Sequence, residues 1–267
     1  MFKIPLLYLT EFVEAFFQQP FMRRLEKRHP KVISFIHGRF SPSHFFGLPF
    51  TILLLVAGLN VALLTKLAEH VINSEATKAM DIQVSGAVFN MRSPQLSLAF
   101  YLFTQLGSIY GVTAMTLMAG LFFCWKREWH HLTALLIAVL GSALSMDLLK
   151  KFFHRERPLN IAYYTTEASF SFPSGHATSA MALMGVLCYF CLINIKNKRA
   201  RIMLFCLGII YILLIGLSRI YLGVHFLTDV AAGFILGFLW VLLAIGVLEY
   251  LTIDRVKQAT KEQVPVQ

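Results

Sequence analysis

Three polar segments of an otherwise apolar chain carry residue types that phosphoryl transfer uses. In the last of them, SRIYLGVHFLTD, His225 and Asp229 stand four residues apart. If this stretch is helical, the two side chains share a face, and the carboxylate fixes one imidazole nitrogen while the other keeps its lone pair. The pair therefore predicts a His nucleophile oriented by an acid, although a His–Asp pair taken alone is more often a satisfied polar contact.

The second segment, FPSGHA, has the features of a helix start. Pro173 precedes Ser174, a good N-cap residue, and Gly175 leaves the backbone open to close approach. Free N–H groups at a helix N-terminus attract anions, and His176 would stand beside the bound anion, where it could protonate a departing oxygen. By themselves, these residues are equally compatible with an ordinary capped helix that carries an interfacial His.

The remaining segment, KKFFHRERP, supplies cations. Lys150 and Arg157 are seven residues apart, and Arg219 of the last segment is a third cation, whereas His154 and Arg155 are less certain additions. Arg offers a planar fork that matches phosphate oxygens, and Lys offers a compact charge. Three cations and a helix start could stabilise a phosphoryl transition state without a metal. No metal is expected, because the sequence has no carboxylate-rich pair or His cluster that would hold Mg²⁺ or Zn²⁺.

The composition indicates an integral membrane protein. Of the 267 residues, 57% are hydrophobic and 14% are charged, which is more apolar surface than a soluble domain of this length would use. The formal net charge of +10 lies mostly in short basic runs between apolar segments, as in membrane proteins that fix their orientation this way, so nucleic-acid binding is not expected. Six segments are long enough to cross a bilayer: residues 47–65, 97–124, 131–149, 176–195, 202–218 and 229–251.

The distribution of Lys and Arg predicts the topology. Basic residues crowd the stretch before the first span, the second-to-third and fourth-to-fifth connections, and the C-terminal tail. Both termini are therefore expected on the cytoplasmic side of the inner (cytoplasmic) membrane, which puts all three polar segments on the outer side. KKFFHRERP carries its cations on the side that should be poor in them, so we expect these cations to bind an anion.

The chain is expected to have three regions. Residues 1–46 include IPLLYLTEFVEAFF, whose apolar residues fall at helical spacing, and should form a cytoplasmic-side amphipathic helical extension. Residues 47–251 should form an all-α, six-span transmembrane helical bundle. Residues 252–267 should form a polar C-terminal tail.

Together, the three polar segments resemble the signature of the type 2 phosphatidic acid phosphatase (PAP2) superfamily, which reads K-x6-R-P, P-S-G-H and S-R-x5-H-x3-D. The matching residues are Lys150, Arg157, Pro158, Pro173, Ser174, Gly175, His176, Ser218, Arg219, His225 and Asp229. Every internal spacing agrees, and the six-span plan extends the resemblance to residues 47–251. The stretch FTQLGS and Asp81 also resemble members of this group, but far less specifically.

The resemblance implies a reaction without metal or cofactor on lipid phosphates at the outer leaflet. In such a reaction His225 would attack phosphorus and form a phosphohistidine, Asp229 would orient it, and His176 would protonate the leaving group. The residues that would hold the phosphoryl oxygens are Lys150, Arg157, Ser174, Gly175 (through its N–H) and Arg219.

Three functions remain open from the sequence. A lipid phosphatase could act on undecaprenyl diphosphate, phosphatidylglycerol phosphate, phosphatidic acid or a phosphorylated glycolipid. A phosphotransferase would pass the phosphoryl group to another lipid, such as lipid A. A transporter or scrambling channel would use the outer cations as an anion vestibule, but transporters usually place polar sites near the midplane. The expected partners are a lipid phosphate and membrane lipids.

Overall fold

The computed structural model describes residues 11–41, 45–158 and 169–262, with the backbone alone for 254–262. These residues form α-helices and one short 3-10 helix. The helices are α1 (Pro20–Arg28), α2 (Pro30–Phe40), α3 (Leu48–Asn73), α4 (Glu75–Asn90), α5 (Pro94–Thr104), α6 (Ile109–Lys126), α7 (Trp129–Phe153), α8 (Gly175–Asn194), α9 (Lys198–Tyr221) and α10 (Leu227–Glu262).

Six of these helices are long and apolar enough to cross a membrane. They are α3, α6, α7, α8, α9 and the part of α10 that runs from Leu227 to Ile253. The prediction of an all-α chain with six spans is therefore confirmed.

The second span differs from the prediction. The apolar run 97–124 is divided by a 3-10 helix at Gln105–Gly107, so that α5 ends before α6 begins. Ser108 acts as the N-cap of α6 and accepts a hydrogen bond from the N–H of Gly111 at 3.2 Å. Hydropathy could not reveal this break, because the residues on both sides of it are equally apolar.

The connection between the first two spans is helical, which the sequence reading did not anticipate. Helix α3 continues to Asn73, beyond the predicted end at residue 65, and α4 follows at once. Ser74 caps α4 by accepting a hydrogen bond from the N–H of Thr77 at 3.3 Å. Helix α4 buries Asp81 completely, and this charged residue becomes important for the site described below.

The chain forms two compact units, residues 1–59 with 256–267, and residues 60–255. The second unit has a core between α6, α7, α8 and α10, in which Leu135, Ala138 and Leu183 are completely buried. Small residues let such helices approach closely.

Helix α10 approaches the start of α8 in the same way. A Cβ atom at Gly233 would lie 2.7 Å from the carbonyl oxygen of Ser174 and 2.9 Å from the Cβ of Ala177. Only glycine fits at this position, so Gly233 helps to set the distance between the two segments that carry the predicted catalytic residues.

In the first unit, residues 11–17 are helical and precede α1 and α2. Each of these three helical segments buries one apolar side chain, and those side chains are Val13, Met22 and Ile33. The described part of the predicted extension is thus helical, as expected, while residues 1–10 and 42–44 lie outside the described ranges. Helix α10 runs to Glu262, so much of the predicted C-terminal tail is also helical, and residues 263–267 are not described.

Candidate active site

His225 lies just before α10, and Asp229 lies in the first turn of that helix. Oδ2 of Asp229 is 3.4 Å from Nδ1 of His225 and accepts a hydrogen bond from the backbone N–H of Phe226 at 2.9 Å. The second contact resembles half of a capping box, in which an acid in the first turn accepts from the N–H of the cap residue. The helix start therefore orients Asp229 towards His225, although His225 itself precedes the helix.

Asp229 has two further partners. Ser171 donates its hydroxyl hydrogen to Oδ2 of Asp229, and Nη1 of Arg155 donates to Oδ1 at 2.5 Å. The carboxylate is completely buried, and burial of a charge requires such partners. Both oxygens of Asp229 are thus engaged, and its position is fixed from several directions.

The imidazole of His225 lies between an acceptor and a donor. Nδ1 faces Asp229, whose ionised carboxylate accepts hydrogen bonds and has none to donate. Nε2 lies 3.1 Å from Nη1 of Arg157, which donates hydrogen bonds and cannot accept them. Both contacts require the same tautomer, with the hydrogen on Nδ1 and the lone pair on Nε2. Sequence spacing predicted the first contact, but the structure adds the second.

Lys150 and Arg157 share two acceptors in the segment that leads to α8. Nζ of Lys150 donates to Ser169 Oγ at 3.1 Å and to the carbonyl oxygen of Phe170 at 2.7 Å. Nη2 of Arg157 donates to the same two atoms, at 3.0 Å and 3.3 Å. The Lys and Arg of K-x6-R-P therefore lie close together, and Arg157 also contacts His225.

The start of α8 is joined to the same region through its backbone. The N–H of Ser174 donates to the carbonyl oxygen of Asp229 at 3.0 Å. Ser174 is the N-cap residue, as predicted, but its hydroxyl makes no capping bond; it is buried and has no hydrogen-bond partner among the described residues. Gly175 and His176 follow in the first turn of α8.

The break between α5 and α6 contacts two more of the predicted site residues. Nη1 of Arg219 is 3.4 Å from Oγ1 of Thr104, and Thr104 also accepts from the hydroxyl of Ser218 at 2.9 Å. A Cβ atom at Gly107 would lie 3.5 Å from Cδ2 of His176. The stretch FTQLGS, which was only a weak signal in the sequence, thus lies against both Arg219 and His176.

Burial and nearby cations keep His225 neutral. The pKa of His225 is lowered to about 4, mainly by burial and also by the charges of Arg157 and Arg219, while Asp229 opposes the shift. A neutral imidazole with its lone pair on Nε2 is the form that can act as a nucleophile.

Comparisons with known proteins indicate the family of this chain. The profile of the PAP2 superfamily matches residues 128–253. The chain is 35% identical to phosphatidylglycerophosphatase B of Bacillus subtilis over 179 residues, which cover 66% of this chain and 86% of that protein.

Two crystal structures share the fold. The first transmembrane PAP2 type phosphatidylglycerolphosphate phosphatase from Bacillus subtilis matches with a TM-score of 0.66 and 30% identity, over 71% of this chain and 94% of that one. Aquifex aeolicus LpxE matches with a TM-score of 0.51 and 26% identity, over 62% of this chain and 94% of that one.

The chain belongs to the PAP2 superfamily. It is a multi-pass integral membrane protein and a PAP2-type lipid phosphatase, and so a phosphoric monoester hydrolase.

Several of the PAP2 signature residues are connected to one another in this structure. Lys150 and Arg157 donate to a shared acceptor. Arg157 contacts His225 directly, and His225 contacts Asp229. Ser174 joins the chain of contacts through Asp229, and Arg219 acts on His225 through its charge. Gly175 and His176 are the next two residues after Ser174.

Several residues around the PAP2 signature were missed by sequence reasoning or left uncertain. Ser171 and Thr228 gave no signal, because a lone hydroxyl in a polar segment is common. Arg155 was a less certain phosphate ligand, and its guanidinium is bonded to the carboxylates of Asp81 and Asp229 instead. The available clue was Asp81, an acid upstream of a polar segment rich in cations, but Asp81 and Arg155 are 74 residues apart in the sequence.

A cavity of about 560 Å³ opens beside this site, a size typical of ligand pockets. Its lining residues are Val71, Lys78, Ile82, Ser85, Arg155, Glu156, Arg157, Pro158 and Phe226. Arg157 both lines the cavity and contacts Nε2 of His225, so the cavity adjoins a residue that touches the predicted nucleophile. In the described part of the chain, no three His, Cys, Asp or Glu residues are grouped to hold a metal ion.

Proposed function

We propose that this PAP2 enzyme removes the terminal phosphate of phosphatidylglycerol phosphate through a phosphohistidine at His225. The contact that carries the proposal is the one between Arg157 and Nε2 of His225 at 3.1 Å. It brings a phosphate-binding cation to the one nitrogen of the imidazole that has a lone pair. The proposed substrate is supported by the relative that is 35% identical and is named a phosphatidylglycerophosphatase.

In the first step, the lone pair of His225 Nε2 forms a bond to phosphorus, and the bond between phosphorus and the lipid oxygen breaks. His176 donates a proton to the departing oxygen, so that it leaves as an alcohol. Asp229 accepts the hydrogen bond from Nδ1 of His225 and stabilises the positive charge that develops on the ring.

In the second step, water attacks the phosphohistidine. His176, now neutral, takes a proton from the water, and the bond between phosphorus and Nε2 breaks. Inorganic phosphate leaves, and His225 returns to its neutral form. His176 therefore serves first as an acid and then as a base.

Around the phosphorus atom, the phosphoryl oxygens are held by five groups. These are Lys150, Arg157, Arg219, the Ser174 hydroxyl and the N–H of Gly175. The N–H groups of the first turn of α8 add a partial positive charge. Cations and oriented N–H groups stabilise a phosphoryl transition state whose charge is spread over three oxygens.

The cavity beside Arg157 is suited to the rest of the lipid headgroup. Its apolar side chains, which include Val71, Ile82 and Phe226, lie together with charged ones such as Lys78. A glycerol phosphate headgroup has both apolar carbons and an anionic phosphate, and such a mixed lining complements it.

Phosphate release from purified protein in detergent tests this function. Phosphatidylglycerol phosphate, phosphatidic acid and undecaprenyl diphosphate should be compared, with His225→Ala as the inactive control. We expect the fastest release from phosphatidylglycerol phosphate, inhibition by vanadate as a phosphate mimic, and little effect of EDTA. Activity of His225→Ala, or loss of activity with EDTA and rescue by metal, would contradict the mechanism.

An acceptor lipid distinguishes hydrolysis from phosphotransfer. The phosphatase should release inorganic phosphate at the same rate with or without a second lipid such as lipid A. A phosphotransferase would release little phosphate until the acceptor lipid is added, and the label would then appear on that lipid.

We further propose that the site faces the outer side of the inner membrane and that both termini are cytoplasmic. The basic runs of the sequence support this orientation. In a variant with its four cysteines replaced by alanine, a membrane-impermeant maleimide added to intact cells should label Glu156→Cys. It should label Lys196→Cys only after permeabilisation, and the reverse pattern would overturn the topology.

A further inference from the structure

A buried carboxylate outside the family-matched region is connected to the active site. Asp81 lies in α4 and is completely buried, whereas the PAP2 profile begins at residue 128. A buried charge is costly unless it is paired. Its partners therefore indicate what this residue does.

Arg155 bridges Asp81 and Asp229. Nη2 of Arg155 donates to Oδ2 of Asp81 at 2.7 Å, and Nη1 donates to Oδ1 of Asp229 at 2.5 Å. One guanidinium thus holds two carboxylates that come from helices far apart in sequence. The Arg155 guanidinium also lies 4.5 Å from the ring centroid of Phe226, which limits its freedom further.

Asp81 also binds the start of α10 directly. Its Oδ1 accepts from the backbone N–H of Thr228 at 3.2 Å, and its Oδ2 accepts from the Thr228 hydroxyl at 2.5 Å. Thr228 precedes Asp229, so Asp81 fixes both the cation that contacts Asp229 and the backbone next to it.

The charges of this group explain why a second carboxylate is needed. Asp229 faces Arg155 on one side at 2.5 Å and His225 on the other at 3.4 Å. With Arg155 alone, the charge of Asp229 would be cancelled, and little negative potential would remain to stabilise a positive imidazole. With Asp81 present, the three groups together keep one negative charge, as a lone carboxylate would.

We propose that Asp81 is a positioning residue that compensates the charge of Arg155 and keeps Asp229 an effective negative partner of His225 during phosphoryl transfer. This inference rests on His225 being the nucleophile. The other charged groups that act on His225 are Arg157, which lies 3.1 Å from Nε2, and Arg219, which acts through its charge.

Removal of the charges of Asp81 and Arg155, singly and together, tests the proposal. Asp81→Asn makes the group neutral, and we expect kcat on phosphatidylglycerol phosphate to fall about tenfold or more while KM changes little. The acidic limb of the kcat/KM profile should move to lower pH, because His225 then binds a proton less readily.

The double variant Asp81→Asn with Arg155→Gln restores the single negative charge. We expect it to be more active than either single variant, which is a coupling that independent losses of packing would not produce. Asp147→Asn is the matched control, because it also changes an aspartate to an asparagine but affects an exposed pair with Lys151 in α7. It should keep the activity and pH profile of the unmodified enzyme.

Two results would overturn the inference. One is an Asp81→Asn enzyme with unchanged kcat and pH profile, and the other is a double variant no more active than Arg155→Gln. If Asp81→Asn fails to fold, the comparison of the double variant with Arg155→Gln decides alone. Activity in His225→Ala would instead refute the proposed function, so the two failures are distinguishable.

Discussion

Nη1 of Arg157 lies 3.1 Å from Nε2 of His225. The same guanidinium donates to the carbonyl oxygens of Ser169 at 2.7 Å and of Val224 at 2.8 Å. These bonds hold the cation in front of Nε2 of His225, the proposed nucleophile, before any phosphate is bound. A phosphoryl group that enters between them would meet both the attacking lone pair and a donor for its oxygens.

Replacement of Arg157 should therefore affect the chemical step strongly. We expect Arg157→Gln to lower kcat/KM by about 10²–10³-fold, the size of effect seen when a preorganised donor to a transition state is lost. Arg157→Lys should recover only a small part of this loss, because an ammonium group lacks the planar fork. Rates of phosphate release measure both effects, and full activity in the Lys variant would contradict a forked contact.

The activity should fall in acid through protonation of His225. Burial, with the charges of Arg157 and Arg219, lowers the pKa of this group to about 4 from an ordinary value of 6.5, so the neutral form of the proposed nucleophile is present above about pH 4 and is lost as the pH falls through that value. Arg157 and Arg219 both help to lower this pKa, so Arg219→Gln should move the acidic limb to higher pH. A kcat/KM profile that is unchanged in this variant would show that another group sets the limb.

Loss of the Ser171 hydroxyl should lower the catalytic rate. It donates to Oδ2 of Asp229, and hydrogen bonds to charged groups contribute about 1.5–3 kcal/mol. We expect Ser171→Ala to lower kcat by roughly 10–100-fold. Ser142→Ala is the control, because Ser142 is also completely buried but bonds only within α7, to Val139 at 2.9 Å. An equal loss in both variants would contradict a specific role of Ser171.

Gly233 should resist even the smallest enlargement. A Cβ at this position would lie 2.7 Å from the carbonyl oxygen of Ser174, and overpacking of this kind typically costs 1–3 kcal/mol. Gly233→Ala should therefore lower the thermal unfolding temperature in detergent and reduce activity.

Gly86→Ala provides a matched comparison for Gly233→Ala. A Cβ at Gly86 would have no atom within 4 Å, and alanine favours a helix over glycine by about 1 kcal/mol. This variant should be as stable as the unmodified protein or slightly more stable. Equal destabilisation in both variants would show that the close approach at Gly233 is not what matters.

Much of the fold follows from hydropathy. Six apolar runs predicted six spans, since the length of a span is set by the thickness of the bilayer. The run 97–124 was misread as one helix because a 3-10 turn of three residues leaves no trace in an apolar average. Helix α4 was missed because it is too polar to cross a membrane and too short to give a strong period.

The site was predictable to the extent that its residues occur in fixed local spacings. His225 and Asp229, or Lys150 and Arg157, can be paired from the sequence because their separations match a signature. The contact of Asp81 with Arg155 could not be predicted, because it depends on how α4 packs. No local pattern encodes a contact between segments so far apart.

The position of Asp81 and Thr104 has a practical consequence for attempts to shorten this protein. A fragment that starts at residue 128, where the family profile begins, would keep every signature residue. It would nevertheless lose one of the two carboxylates bonded to Arg155 and the hydroxyl that contacts Arg219. A shortened protein for directed evolution should therefore start at or before α4, well upstream of residue 128, where the family profile begins.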